Sequence, residues 1–192
     1  MSGKLVVVDT SVVILMVAPV PAGNEDRRRR QLRAETTLGD MRRDGVSFVV
    51  PAPVITELAI FSDGVGDRAG EIIAEVIFAR FGGMRVEAFD LHAAETAGKM
   101  LRATFKQIRQ QSDAPPRDSV KVDAMIAALA HELDAAHILT ANPRDFRKHL
   151  DAVKSPVNVL NTNDPPMGQL RLLVDQKVPQ ATESAPKQPK SE

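Results

Sequence analysis

Short, apolar, β-branched runs recur along this chain with helical patterns between them, and that alternation limits the possible folds more than any other feature. The runs are Leu5-Val6-Val7-Val8 and residues 46–50, 85–89, 138–140 and 157–160. Each is largely continuous rather than alternating with polar residues, as expected for strands covered on both faces. Between them, residues 31–43 read as a polar helix ending near Gly45. Residues 54–61 follow Pro51-Ala52-Pro53, which suits the start of a helix. Residues 67–80 carry Ile72, Ile73, Val76 and Ile77 at helical spacing and stop at Gly82-Gly83. A long pattern over 91–111 is broken by Pro115-Pro116, and Ser119 is placed to cap a helix over 120–135. Strand and helix alternate, which predicts an α/β fold: a three-layer α/β/α sandwich with a mainly parallel central sheet.

The chain has 192 residues, 43% of them hydrophobic, enough for one ordinary core. One domain is expected over residues 1–160. From 161 to 192 the composition shifts to Pro, Gln, Ser, Lys and Glu, which reads as a disordered tail carrying a short apolar patch at 170–174. There is no cysteine, which excludes disulfides, thiolate zinc sites and a cysteine nucleophile and suits a reducing cytoplasm. The longest apolar run, beginning at Val12, is too short to cross a bilayer. Asp9 interrupts what would otherwise resemble the apolar core of a signal peptide, so a soluble, cytoplasmic protein is expected. Formal net charge is zero, so global electrostatics do not announce a nucleic-acid binder. Arg27, Arg28, Arg29, Arg30 and Arg33 do cluster, but acids are interspersed and the stretch reads on its own as a solvated helix face. With no Trp or Tyr, no platform for stacking single-stranded bases is expected.

Four carboxylates lie where the chain leaves these strand-like runs or enters the helices beside them: Asp9, Glu57, Asp123 and Asp145, with Asn142 close to the last. In parallel α/β sheets, ligands bind beyond the carboxyl ends of the strands, and Asp9 and Asn142 both fall just past such ends. Glu57 is early on the helix after the second run, on the flank of the stripe Val54, Leu58 and Phe61. Asp123 is in the first turns of its helix, and Ala127 and Ala130 behind it keep that flank thin. Taken singly, each acid has an ordinary explanation. Asp9 suits a helix N-cap, Glu57 a surface position, Asp123 the favourable end of a helix dipole, and Asp145 the start of a short helix. Together on one edge they imply a cation. Two carboxylates about 4 Å apart repel by roughly 4 kcal/mol at an effective dielectric near 20, and a hard divalent ion removes that cost.

Other acid- or histidine-based motifs fit less well. Haloacid-dehalogenase phosphohydrolases need a second acid two residues after the nucleophile, where this chain has Ser11. Receiver domains need an earlier adjacent pair of acids, which is missing. His131-Glu132 opens like a zinc-protease helix, but Ala135 stands where the second histidine is required. Neither a Gly-rich phosphate loop after a strand nor a nucleophile elbow is present.

Four blocks in order resemble the PIN-domain ribonucleases, most closely the VapC-like toxins of bacterial toxin–antitoxin pairs. They are Leu5-Val6-Val7-Val8-Asp9-Thr10-Ser11, Pro51-Ala52-Pro53-Val54-Ile55-Thr56-Glu57-Leu58, the segment from Asp118 through Asp123 to Ala130, and the segment from His137 through Thr140, Asn142 and Asp145 to Phe146. The resemblance runs from about residue 4 to 160. It implies a Mg²⁺- or Mn²⁺-dependent endoribonuclease with Asp9, Glu57, Asp123 and Asp145 as catalytic acids. Asp9 and Asp123 would be the principal metal ligands, and Ser11, Thr140 and Asn142 would support them. Arg144, Arg147 and the cluster from Arg27 to Arg30 become candidates for gripping the RNA backbone. A small antitoxin and a second copy of the chain are the implied partners, with no role for a membrane. A housekeeping RNA-processing nuclease and a non-catalytic PIN-fold binding module are the alternatives. Two departures stand out. Many relatives carry an acid where this chain has Asn142, so the fourth role is shared between Asn142 and Asp145. Residues 19–30 and the stretch after Asn161 are longer than compact family members need.

Overall fold

The computed structural model describes residues 5–62, 84–108 and 117–164. Five strands and six helices follow one another among them: β1 (Leu5–Val8), α1 (Thr10–Val17), α2 (Glu25–Arg43), β2 (Ser47–Pro51), α3 (Ala52–Ser62), β3 (Met84–Glu87), α4 (Leu91–Ile108), α5 (Arg117–Glu132), β4 (His137–Thr140), α6 (Pro143–Ala152) and β5 (Asn158–Asn161). The strands form one sheet in the order β3-β2-β1-β4-β5, and every neighbouring pair is parallel. In β1, the central strand, Val6, Val7 and Val8 are each fully buried. Successive strand side chains point to opposite faces, so both faces of the sheet are covered by helices, as the continuous apolar run predicts. The edge strands β3 and β5 are more exposed. On β3, Arg85 and Glu87 pair at 3.3 Å, and charges of this kind discourage edge-to-edge association.

The strand order decides where a site can form. From β1 the chain winds outward through β2 to β3, then returns to the other side of β1 to lay down β4 and β5. The reversal opens a crevice between the carboxyl ends of β1 and β4, the position where open α/β sheets bind ligands. Packed beneath it is α5, whose Ala124, Ile126, Ala127, Ala128 and Ala130 have no exposed surface. Small side chains let this helix press close to its neighbours and carry Asp123 to the crevice.

Several boundaries differ from those read in the sequence, for identifiable local reasons. The helix expected over 31–43 begins six residues earlier, at Glu25, because the Asn24 side chain accepts the Arg27 N–H at 3.0 Å. Glu25 and Asp26 in its first turn and Arg42 and Arg43 in its last match the helix dipole. It stops where Gly45 takes φ +75°: the Val46 N–H reaches the Met41 carbonyl and the Gly45 N–H the Arg42 carbonyl, both at 3.0 Å. Ser119 is not the cap of α5, which starts at Arg117, so Ser119 lies within its first turn. That helix ends at Glu132 rather than 135, with Asp134 in the left-handed region at φ 49°. Asp9 is the N-cap of α1, as its place in the sequence suits. Asn161 ends β5 and Thr162 is buried, with its N–H on the Thr140 carbonyl at 2.9 Å, so packing continues past residue 160. The helix expected over 67–80, the end of the 91–111 pattern and the tail from 165 lie outside the described residues.

Candidate active site

Asp9 stands where β1 gives way to α1. Its backbone is extended (φ −80°, ψ 156°), its N–H donates to the Leu139 carbonyl at 3.0 Å, and it is 5% exposed. One oxygen, Oδ2, collects the Ser11 hydroxyl at 2.6 Å, the Thr140 hydroxyl at 2.8 Å and the Ser11 N–H at 3.4 Å. Each hydroxyl is itself held from behind. Ser11 Oγ accepts the Ala141 N–H at 3.0 Å, and Thr140 Oγ1 accepts the Asn142 N–H at 2.9 Å. A hydroxyl has one proton to give, and here both protons go to Asp9. The network ties the loop after β1 to the loop after β4 and fixes one carboxylate oxygen. Neither hydroxyl reaches the other oxygen. Burial pushes the Asp9 carboxyl above its ordinary range, against the lowering effect of these hydrogen bonds.

Glu57 is half-buried on α3 and accepts the Thr10 hydroxyl on Oε2. Its carboxyl is also raised, by burial first and by the negative charge of Asp9 as well, with the Thr10 bond opposing. Asp123, on α5, has no hydrogen bond or ion pair to another described residue. Burial raises its carboxyl from 3.8 to about 8, helped in turn by the charges of Asp9, Asp145 and Glu57 and opposed by Lys148. Three carboxylates from three other segments thus act on one. The acids converge electrostatically at the crevice between β1 and β4.

Asp145, in the first turn of α6, is the acid engaged on both oxygens. The Asn142 side-chain amide donates to Oδ2 at 2.6 Å and Lys148 Nζ lies 3.2 Å from Oδ1. Asn142 occupies the N-cap position of α6 without capping it; its side chain holds Asp145 instead. The two residues that shared the fourth role in the sequence reading are therefore a bonded pair, with Asp145 supplying the charge and Asn142 a donor. Thr10 and Lys148 escaped that reading. Lys148 had a signal, being three residues after Asp145 on one helix face. Thr10 had none beyond its place after Asp9.

The donor chemistry fits a hard divalent cation: the acids offer carboxylate oxygens, and burial beside three other acids pushes Asp123 up to about 8, a cost that a cation would relieve. Among the described residues, however, no three His, Asp or Glu side chains stand close enough to hold an ion by themselves. Mg²⁺ does not require that, since it binds through one or two carboxylates and keeps several waters.

The arginines fall into two groups. Arg144 and Arg147 are exposed on α6, on either side of Asp145. Arg28, Arg29 and Arg30 are exposed and Arg27 partly so, on the first turns of α2. The next residue, Gln31, reaches the Met16 carbonyl at the far end of α1, so this cluster lies roughly one eight-residue helix, about 12 Å, from Asp9.

The PIN domain family model matches residues 6–149, well over half of the chain. Solved structures share the fold at low identity. FitAcB from Neisseria gonorrhoeae is 18% identical with a TM-score of 0.55, over 82% of this chain and 97% of that one. FitAB bound to an IR36 DNA fragment is 17% identical with a TM-score of 0.54, over 82% and 94%. VapBC-1 from nontypeable Haemophilus influenzae is 16% identical with a TM-score of 0.52, over 83% and 99%. No curated protein sequence matches. Among the described residues, no helix is long and apolar enough to cross a membrane.

Proposed function

The chain belongs to the PIN-domain family, and from that membership we propose that it is a divalent-metal-dependent endoribonuclease, the toxin of a toxin–antitoxin pair. The observation that carries the reading is Asp123, a carboxyl pushed up to about 8 by burial and by Asp9, Asp145 and Glu57 around it. A site that gathers charge in this way serves chemistry that needs a cation. The resemblance to VapC-like toxins, and the shared fold of the VapBC-1 and FitAB structures, support a small antitoxin as partner; the same resemblance implies a homodimer in the cytoplasm.

Asp9 and Asp123 would hold Mg²⁺ or Mn²⁺, with Glu57 beside them to orient water and Asp145 adding negative charge to the crevice. When bound, the ion supplies Lewis acidity to an RNA phosphodiester and to the water that attacks it. The protein's own groups do the rest. Ser11 and Thr140 lock Oδ2 of Asp9 and so fix the carboxylate. Thr10 holds Glu57 so that its second oxygen can orient a water or accept a proton. Arg144 and Arg147 flank the acids and position the phosphate backbone, while the cluster from Arg27 to Arg30 holds a more distant stretch of RNA.

RNA cleavage by the purified chain tests this reading. Cleavage should require Mg²⁺ or Mn²⁺, stop with EDTA, and fall by at least about 100-fold in Asp9→Asn or Asp123→Asn while circular dichroism stays unchanged. Undiminished cleavage by the double variant contradicts the assignment. Growth arrest on expression, relieved by the product of the reading frame immediately upstream, tests the toxin assignment separately.

A further inference from the structure

Asp145 differs from the other acids in having a donor on each of its oxygens. Oδ2 takes the Asn142 amide at 2.6 Å and Oδ1 the Lys148 ammonium at 3.2 Å. Asp9 takes the Ser11 and Thr140 hydrogen bonds on Oδ2, and Glu57 takes Thr10 on Oε2. Oε1 of Glu57 and both oxygens of Asp123 accept none among the described residues, and Oδ1 of Asp9 takes none of the Ser11 and Thr140 bonds. The free acceptors thus lie on the β1, α3 and α5 side of the crevice, and the α6 side is already neutralised.

We propose that Lys148 is a positioning residue that acts as the built-in cation of the acid cluster, taking the place a second divalent ion would have and restricting the site to a single Mg²⁺ on the side of Asp9 and Asp123. The proposal rests on the metal-dependent nuclease reading above and specifies its ion count. The tether is short, because Lys148 follows Asp145 by three residues on α6 and both side chains are partly buried, at 40% and 34% exposed. To use Asp145, a second ion would have to displace the ammonium from Oδ1 and remain beside it, a like-charge approach that a partly desolvated crevice screens poorly. Asn142 works in the same direction, since its side-chain nitrogen donates to Asp145 where another carboxylate would offer an ion a ligand. The field of Lys148 also extends past Asp145, since it opposes the three carboxylates acting on Asp123.

Counting Mn²⁺ bound to the full-length chain, by titration calorimetry and by electron paramagnetic resonance, decides the matter. The wild type should bind one ion per chain. Lys148→Met should gain a second, weaker ion and a spin-coupled Mn²⁺ pair, and Lys148→Arg should remain at one. In the wild-type background, Asp145→Asn should weaken the single ion by less than about 3-fold and Asp123→Asn by more than about 30-fold, a contrast that does not depend on how Lys148→Met folds. Two ions in the wild type, or only one in a folded Lys148→Met, overturn the proposal and leave the nuclease reading standing. No ion at all in the wild type overturns both.

Discussion

Asp123 keeps its proton to about pH 8 when the protein is folded without a cation, whereas an unfolded chain releases it near 3.8. Between those values the unfolded state binds fewer protons, so the stability of the metal-free protein should fall as pH rises, by on the order of a few kcal/mol, and level off outside the window. Asp9 and Glu57, also raised, slope the same way. Urea denaturation in EDTA from pH 6.5 to 8, above the range where the buried His149 slopes the other way, should show this decline, and Asp123→Asn should make it shallower. A rise in stability over that range would contradict the electrostatic picture. Thr140, fully buried, makes a second residue-scale case. Thr140→Val keeps the shape but leaves Oδ2 of Asp9 short of a donor and the Asn142 N–H without its acceptor. It should cost about 1–3 kcal/mol in denaturation and weaken Mn²⁺ binding. The four acids were legible in the sequence because each follows or opens a recognisable element. Thr10 and Lys148 were not, because what they do depends on which acid the fold brings against them.

Among the elements, α5 shows most clearly how a local pattern becomes a site. Its alanines are buried on all the faces that meet neighbours, so enlarging one moves the helix that carries Asp123. Ala127→Leu should cost about 1–3 kcal/mol by overpacking, and should reduce Mn²⁺ affinity although residue 127 touches no ion. An unchanged affinity would mean that the position of α5 does not set the site. The contact between α6 and α4 carries a different signature. His149 is 2% exposed, its Nδ1 lies 3.1 Å from the Thr104 hydroxyl, and burial lowers its pKa from 6.5 to about 4. The unfolded chain takes up this proton first, so His149 should remove stability as pH falls from 6.5 to 4, by on the order of 3 kcal/mol. His149→Gln should lose that acid dependence, as thermal melts over the range would show. Element types were readable from apolar periodicity, but several ends were not. The start of α2 hangs on one Asn24 side-chain bond and the end of α5 on Asp134 in a left-handed conformation, and neither is encoded in periodicity.

Across the whole molecule, the runs of β-branched residues already implied a parallel sheet covered on both faces, and the fully buried β1 is that sheet's centre. The strand order could not be read, since five short apolar runs are compatible with several parallel arrangements. It matters because placing β4 beside β1 is what brings Thr140 to Asp9 and Asp145 into the field of Asp123. Residues that are far apart in the chain become one acidic crevice through that single topological reversal. A crystal of the full chain soaked in Mn²⁺ and measured for anomalous scattering shows whether this crevice holds a divalent ion. A peak is expected between β1 and β4, within direct coordination distance, about 2 Å, of oxygens from both Asp9 and Asp123. A map with no peak there, or with Mn²⁺ bound only on another face of the molecule, would contradict the divalent-ion assignment.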